Sequence, residues 1–222
     1  MKKTILYLTV DGITDPLGNS QILPTTLYLS KFYKIIIASI EKKKNYSKEY
    51  INLKNILLNS NISHFFVYFH NNKLLKYIKI IKFVFSIFFK LIVNKVNLIH
   101  LRGYQGAILI FPIIYFLKYP IIFDMRGFWP EEKIDRFNWT KKDFKYILFK
   151  KLELFLLRNS ISIITLTENS KKLLIENYNI RDNNITVIPT CADKNKYKIF
   201  LNQNTKIVFG YIGSTHGAYN FT

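Results

Sequence analysis

Short unbroken runs of Val, Ile, Leu and Phe alternate along this chain with longer segments of helical period. That order argues for βαβ units and a parallel sheet. The strand-like runs show no polar alternation, as expected when helices cover both faces. Strands are expected at Thr4–Val10, Lys34–Ile40, Ser63–Phe69, Asn97–Leu101, Pro120–Asp124, Ile161–Leu166 and Ile185–Ile188. Helices are expected at Ser20–Lys31, Tyr46–Asn59, residues 73–95, Gln105–Leu117, Lys141–Arg158 and Glu168–Tyr178. A loop carrying Gly127 and Pro130 joins the fifth strand to the long helix. The reading is a doubly wound, Rossmann-like α/β domain over residues 1–192. A polar linker, 193–205, leads to Lys206–Ile212, a strand that opens a second unit, 206–222.

Composition agrees with a packed domain: 49% of the 222 residues are hydrophobic and 16% aromatic, which excludes a disordered chain. Lys and Arg number 33 against 14 Asp and Glu, a formal charge of +19. Only Arg102, Arg126, Arg136, Arg158 and Arg181 are arginines. The bias to Lys, Asn and Ile is what A/T-rich codons produce, so part of the charge belongs to solvated faces. The rest suits anionic partners such as phospholipids, nucleotides or nucleic acid. A lone Cys191 cannot form an internal disulfide, and no Cys/His spacing fits a metal. A reducing, cytoplasmic setting follows.

The apolar N-terminal run is broken by Asp11 with no cleavage site after it, so it reads as a strand rather than a signal peptide. Ala107–Leu117 is about half the length of a membrane-spanning helix. Residues 73–95 differ. Lys76, Lys79, Lys82 and Lys90 fall in one sector of a helical wheel, with Ile78, Ile81, Phe85, Phe88 and Ile92 opposite. Such a helix suits an anionic membrane surface at the inner face of the membrane. The alternative is a domain helix that packs this apolar face on the sheet.

In doubly wound sheets, ligands bind beyond the carboxyl ends of the strands. All eight glycines lie near such ends: Gly12, Gly18, Gly103, Gly106, Gly127, Gly210, Gly213 and Gly217. The first loop lacks the G-x-G-x-x-G spacing, against a dinucleotide fold of the hydride-transfer kind. It sets Gly18, Asn19 and Ser20 at a helix entry, where free N–H groups can take a phosphate or a sugar hydroxyl. His100, Arg102 and Gly103 follow the fourth strand; Asp124, Arg126, Gly127, Trp129, Glu131 and Glu132 follow the fifth. Two of five arginines thus stand past neighbouring strand ends, where a guanidinium fork can hold phosphate or carboxylate as a lysine cannot. An Asp124–arginine pair bracing the loop is the alternative, as is a structural strand-end role for His100. There is no G-x-S-x-G elbow or P-loop. No nucleic-acid module is present either, so nucleic acid is excluded as a partner.

Together these residues resemble a family. The loop Asp11 to Pro24 resembles the D-G-x-x-D-P-L-G-x-S-Q-x-x-P form found in a subset of the retaining GT-B glycosyltransferases of family four, also called group one. Pro120 to Trp129 and Val187-Ile-Pro189-Thr-Cys191-Ala-Asp193 are similar to that family's signatures. Gly210-Tyr-Ile-Gly213-Ser214 looks like the opening of its C-terminal domain. The resemblance implies a transferase that retains anomeric configuration and needs no cofactor or obligate metal, with a nucleotide-sugar as co-substrate. The acceptor would be a polysaccharide or a lipid-linked glycan of the cell envelope. A histidine contacts the donor sugar in many members where Arg126 stands here, which makes Arg126 the catalytic candidate. Gly18, Asn19, Ser20, His100, Arg102, Asp124, Glu131 and Glu132 become substrate-binding candidates, and Gly213 a donor-binding one. The family's phosphate clamp and E-x7-E motif would follow residue 222, so the chain is expected to be an acceptor-side half without catalysis of its own. A binding module that pairs with a separately encoded half is the alternative, and a Rossmann-like domain serving other nucleotide chemistry a third.

Overall fold

A computed structural model of the protein describes residues 2–69 and 72–191. The strands are β1 (Thr4–Leu8), β2 (Lys34–Glu41), β3 (Ile62–Tyr68), β4 (Leu98–Arg102), β5 (Ile121–Asp124), β6 (Ser162–Thr165) and β7 (Ile185–Val187). They form one sheet in the order β3-β2-β1-β4-β5-β6-β7, every pairing parallel. All seven expected strands are present, and the Rossmann-like architecture stands. The expected linker 193–205, the expected strand at 206–212 and Gly213 lie outside the described residues.

The strand order reverses between β1 and β4, and such a switch point opens a crevice above the carboxyl ends of its two strands. Alternate residues of β1 serve two cores. Leu6 and Leu8 join Ile36, Ile99, Leu101 and Phe123 on one face, while Ile5 and Tyr7 join Ile35 and Ile37 on the other.

Helices connect the strands: α1 (Leu23–Ser30), α2 (Lys43–Asn59), α3 (Lys73–Val93), α4 (Gly103–Leu109), α5 (Phe111–Leu117), α6 (Trp129–Phe137), α7 (Phe144–Asn159) and α8 (Glu168–Tyr178). Four differ from the sequence reading. The expected helix Gln105–Leu117 is two helices that part at Ile110, because Pro112 has no N–H to give and crowds the carbonyl four residues back. The Gly127–Pro130 segment runs into α6. Its proline at the first turn, Glu131 and Glu132 beside it and Arg136 in the last turn suit the helix dipole. The long helix begins at Phe144, since Asp143 accepts from the Thr140 N–H at 2.6 Å and holds residues 140–143 in a turn.

The fourth difference concerns which face of α3 packs. Phe83, Ile87 and Leu91 bury against the sheet, on a line centred about 80° around the helix from the lysine sector's centre. Of the stripe that the alternative reading packs on the sheet, Ile78, Ile81, Phe85 and Ile92 are turned outward and only Phe88 packs against the core. Leu74 and Phe89 extend the outward stripe, with Phe85 60% and Phe89 61% exposed. The helix is apolar on two faces, so periodicity alone could not choose between them. No helix among the described residues is long and apolar enough to cross a membrane.

Candidate functional site

At the switch point the chain leaves β1 through Thr9, whose hydroxyl accepts from the Asp11 N–H at 3.0 Å. The loop that follows is fastened to the fully buried Glu41 at the end of β2. Glu41 accepts from the Ile13 N–H at 2.8 Å, the Thr14 hydroxyl at 2.6 Å and the Ser39 hydroxyl at 2.5 Å. Burial resists the Glu41 charge, yet these bonds and His64 hold its pKa down to about 2. Gly18 packs against the Gly12 carbonyl, where a Cβ would overlap it. That close approach of two backbone segments requires a glycine there.

Gly18–Ile22 form a single π-helical turn that runs directly into α1. The expected free amides at a helix entry are therefore not all free. The Asn19 N–H bonds the Asp15 carbonyl at 2.9 Å, and the Ser20 hydroxyl bonds the Leu17 carbonyl at 3.3 Å. The extra residue in this turn carries Gln21 over the cleft. Single π turns of this kind occur often at functional sites.

Arg102 ends β4 and Arg126 follows β5, and both reach Gln21 Oε1, at 2.6 and 2.8 Å. Asp124 lies beneath them. Its Oδ2 is 3.4 Å from Arg102 Nη1 and 3.6 Å from His100 Nε2, and its Oδ1 is 3.5 Å from Arg126 Nη1. Burial opposes ionisation of Asp124, but His100, Arg126 and Arg102 hold its pKa below the ordinary value. His100 stacks on Tyr7 with ring centroids 4.3 Å apart. Burial, then the Asp124 charge, pushes the Tyr7 hydroxyl up to about 12. Arg102 Nε, His100 Nε2 and Asp124 Oδ1 are buried without a hydrogen-bond partner. A cluster this loosely satisfied has bonding capacity left for a ligand.

Two cavities open on the cluster. One, about 220 Å³, has Ser20, Gln21, His100, Asp124, Arg126 and Thr190 among its walls. Thr190 also accepts from Arg126 at 3.0 Å, tying the loop after β7 to the site. The other, about 200 Å³, lies between Asp11, Arg102, Tyr104, Arg126, Trp129 and Glu132. Both hold the two guanidiniums, so the site can bind an anion and a stacked or hydroxylated group beside it.

The sequence candidates His100, Arg102, Asp124, Arg126 and Ser20 thus share one cleft, and Glu132 borders it. Glu131 faces the other way, 2.8 Å from Lys150 and accepting from the Tyr146 hydroxyl at 3.3 Å. Gln21, Tyr7 and Thr190 were not among the candidates. Gln21 and Thr190 stood inside the quoted motifs, and those motifs were the available signal. No group of three or more His, Cys, Asp or Glu able to hold a metal occurs among the described residues.

Behind the cleft, Tyr104 of α4 donates to the buried Glu153 of α7 at 2.6 Å, and its oxygen is 3.1 Å from the Gly127 carbonyl. Glu153 also pairs with Lys150 and accepts from Tyr178 at 2.9 Å. Gly127, at φ +151°, sits where a Cβ would strike the Glu132 carboxylate. The loop bearing Arg126 is therefore fixed from below.

The sequence model of Glycosyltransferase Family 4 matches residues 47–196, more than half of the chain. The chain belongs to Glycosyltransferase Family 4. Among solved structures, this Family 4 chain is similar to the sucrose-phosphate synthase of Thermosynechococcus elongatus, with TM-score 0.56 and 11% identity over 85% of this chain and 48% of that one. It is similar to HepE of Anabaena, solved with UDP and glucose, with TM-score 0.53 and 14% identity over 90% of this chain and 48% of that one. A putative UDP-N-acetylglucosamine 2-epimerase of Listeria monocytogenes matches with TM-score 0.52 and 10% identity over 84% of this chain and 44% of that one. At these identities the likeness shows the fold, the Rossmann-like sheet of GT-B glycosyltransferases, which the epimerase shares. The Family 4 chain spans about half the length of these proteins. No protein with a curated description matches it.

Proposed function

We propose that the chain is the N-terminal, acceptor-side half of a retaining GT-B glycosyltransferase that moves a sugar from a nucleotide-sugar to a lipid-linked or polysaccharide acceptor of the cell envelope. The observation that carries this reading is the convergence of Arg102 and Arg126 on one oxygen above Asp124, at the switch point of a Family 4 sheet. In the transfer, the bond from the sugar's anomeric carbon to the diphosphate breaks, a bond to the acceptor oxygen forms on the same face, and the acceptor hydroxyl's proton passes to the departing diphosphate. The diphosphate leaves with the electron pair, and stabilising that charge is the main electrostatic task. Arg126 is the group placed to meet the transferring sugar phosphate. Arg102, His100 and Asp124 hold the acceptor side, and Gly213 is the donor-side candidate. The phosphate clamp would come from a C-terminal half.

The apolar outward stripe of α3 supports a place at the inner face of the membrane. Lysines flank the stripe, and residues 50–123 contain no Asp or Glu. A helix of this kind lies in the plane of an anionic bilayer. Turnover tests the reading. The 222-residue chain alone should release no sugar from UDP-glucose or UDP-N-acetylglucosamine above a buffer blank. Release by the chain alone would overturn the division of labour.

A further inference from the structure

A third cavity, about 410 Å³, lies beside the cleft, between the ends of β2 and β3, the first two turns of α3 and the middle of α4. Its base is apolar: Ile40, Val67, Ile80, Ile108 and Leu109. One wall carries Lys76 and Lys79. The Lys76 ammonium sits 4.7 Å over the ring of Phe69, another wall residue, which keeps it at the cavity. Neither lysine has a carboxylate partner among the described residues. At its other end the cavity meets the cleft, for Val10, Asp11 and Gln105 line both.

An apolar chamber with two uncompensated ammonium groups matches one chemistry, an amphiphile with an anionic head. A free sugar would leave the apolar base unfilled. A neutral lipid would leave the lysines without a counter-charge. We propose that this cavity binds a phosphorylated lipid. The chain lies along Ile40, Val67, Ile80 and Ile108, the phosphate meets Lys76 and Lys79, and the group to be glycosylated passes Asp11 and Gln105 into the cleft. The proposal rests on the acceptor-side reading and narrows its acceptor to a lipid phosphate. Its test reads binding, so it can fail while sugar transfer stands, or hold while sugar transfer fails.

The 222-residue chain is titrated calorimetrically with dodecyl phosphate below its micelle concentration, with dodecyl maltoside and with inorganic phosphate. Dodecyl phosphate should bind one-to-one, about tenfold or more tighter than either control, since both parts of the site are then engaged. The double variant Lys76→Gln, Lys79→Gln should weaken it about tenfold or more at an unchanged melting temperature. Ile108→Trp, which fills the chamber, should abolish it. Phe85→Ser with Phe89→Ser, on the outward stripe, should leave it intact. Unchanged binding in the lysine variant would overturn the proposal even if Ile108→Trp does not fold. So would equal binding of dodecyl maltoside or of inorganic phosphate, or loss of binding in the Phe85, Phe89 variant.

Discussion

Arg102 and Arg126 leave the ends of neighbouring strands and close on a single oxygen, Gln21 Oε1, at 2.6 and 2.8 Å. Two like charges share one neutral acceptor there, with Asp124 beneath as the nearest carboxylate. An anionic ligand oxygen in the place of the amide would relieve that repulsion. The two arginines nevertheless differ: the Arg102 side chain is 5% exposed and that of Arg126 is 25%.

Their substitutions should therefore separate. Arg102→Ala removes a buried guanidinium that pairs with both Asp124 and Asp11 and leaves its own space unfilled, and should cost about 3–5 kcal/mol of stability, a fall of roughly 10 °C in melting temperature. Arg126→Lys should move the melting temperature by no more than about 2 °C, because Arg102 and His100 still face Asp124. Thermal melts of the two variants decide this. Equal losses would make Arg126 a brace of its loop rather than a ligand group.

Glu41 gives the fold an acid limit. Its pKa is lowered from the ordinary 4.5 to about 2, so the stability it contributes is complete above about pH 4.5. That stability is lost as the pH falls from there toward 2, by about 3 kcal/mol in all. Denaturant melts at pH 6, 4 and 3 should show the loss in the wild type. Glu41→Gln should be less stable at pH 6 and should lack this part of the slope. A parallel slope in the variant would assign the acid loss elsewhere.

Glu153 is buried with Lys150, Tyr104 and Tyr178 around it. Glu153→Ala takes the shared buried acceptor from Tyr104, Tyr178 and Lys150, while Lys150 keeps Glu131 at 2.8 Å, and should cost about 2–3 kcal/mol. The effect should reach the cleft, because Tyr104 also approaches the Gly127 carbonyl. In Glu153→Ala, backbone amide exchange of residues 126–128 should quicken more than that of β2. Uniform quickening would show a global loss only.

The outward stripe of α3 predicts binding to phosphatidylglycerol vesicles that weakens with salt. Phe85→Ser with Phe89→Ser withdraws two exposed rings, worth about 2 kcal/mol together, or about thirtyfold in co-sedimentation. Equal binding to neutral phosphatidylcholine, or no loss in the variant, would contradict the docking.

Much of this was legible in the sequence because parallel strands buried on both faces leave apolar runs that few other elements produce. The cleft was legible in part, since Arg102, Asp124 and Arg126 sit at strand ends beside glycines. Gln21 was not. Its partners lie 81 and 105 residues away, and nothing local marks that meeting. The packed face of α3 was not legible, because Phe83, Ile87 and Leu91 are as apolar as the stripe that stays outside. The start of α6 was present as Pro130 with Glu131 and Glu132, but Gly127 and Pro130 read more strongly as a loop.

The central claim is that the Arg126 cleft is where the acceptor-side half meets the transferring sugar. It is tested most directly by joining the chain to the donor-binding half of a Family 4 relative and measuring sugar transfer from the nucleotide-sugar to a lipid-linked acceptor. The account predicts transfer by the joined protein and a fall of about a hundredfold or more in Arg126→Ala, the scale expected when a charge-stabilising group is removed. Transfer by Arg126→Ala at the rate of the unaltered protein would contradict it.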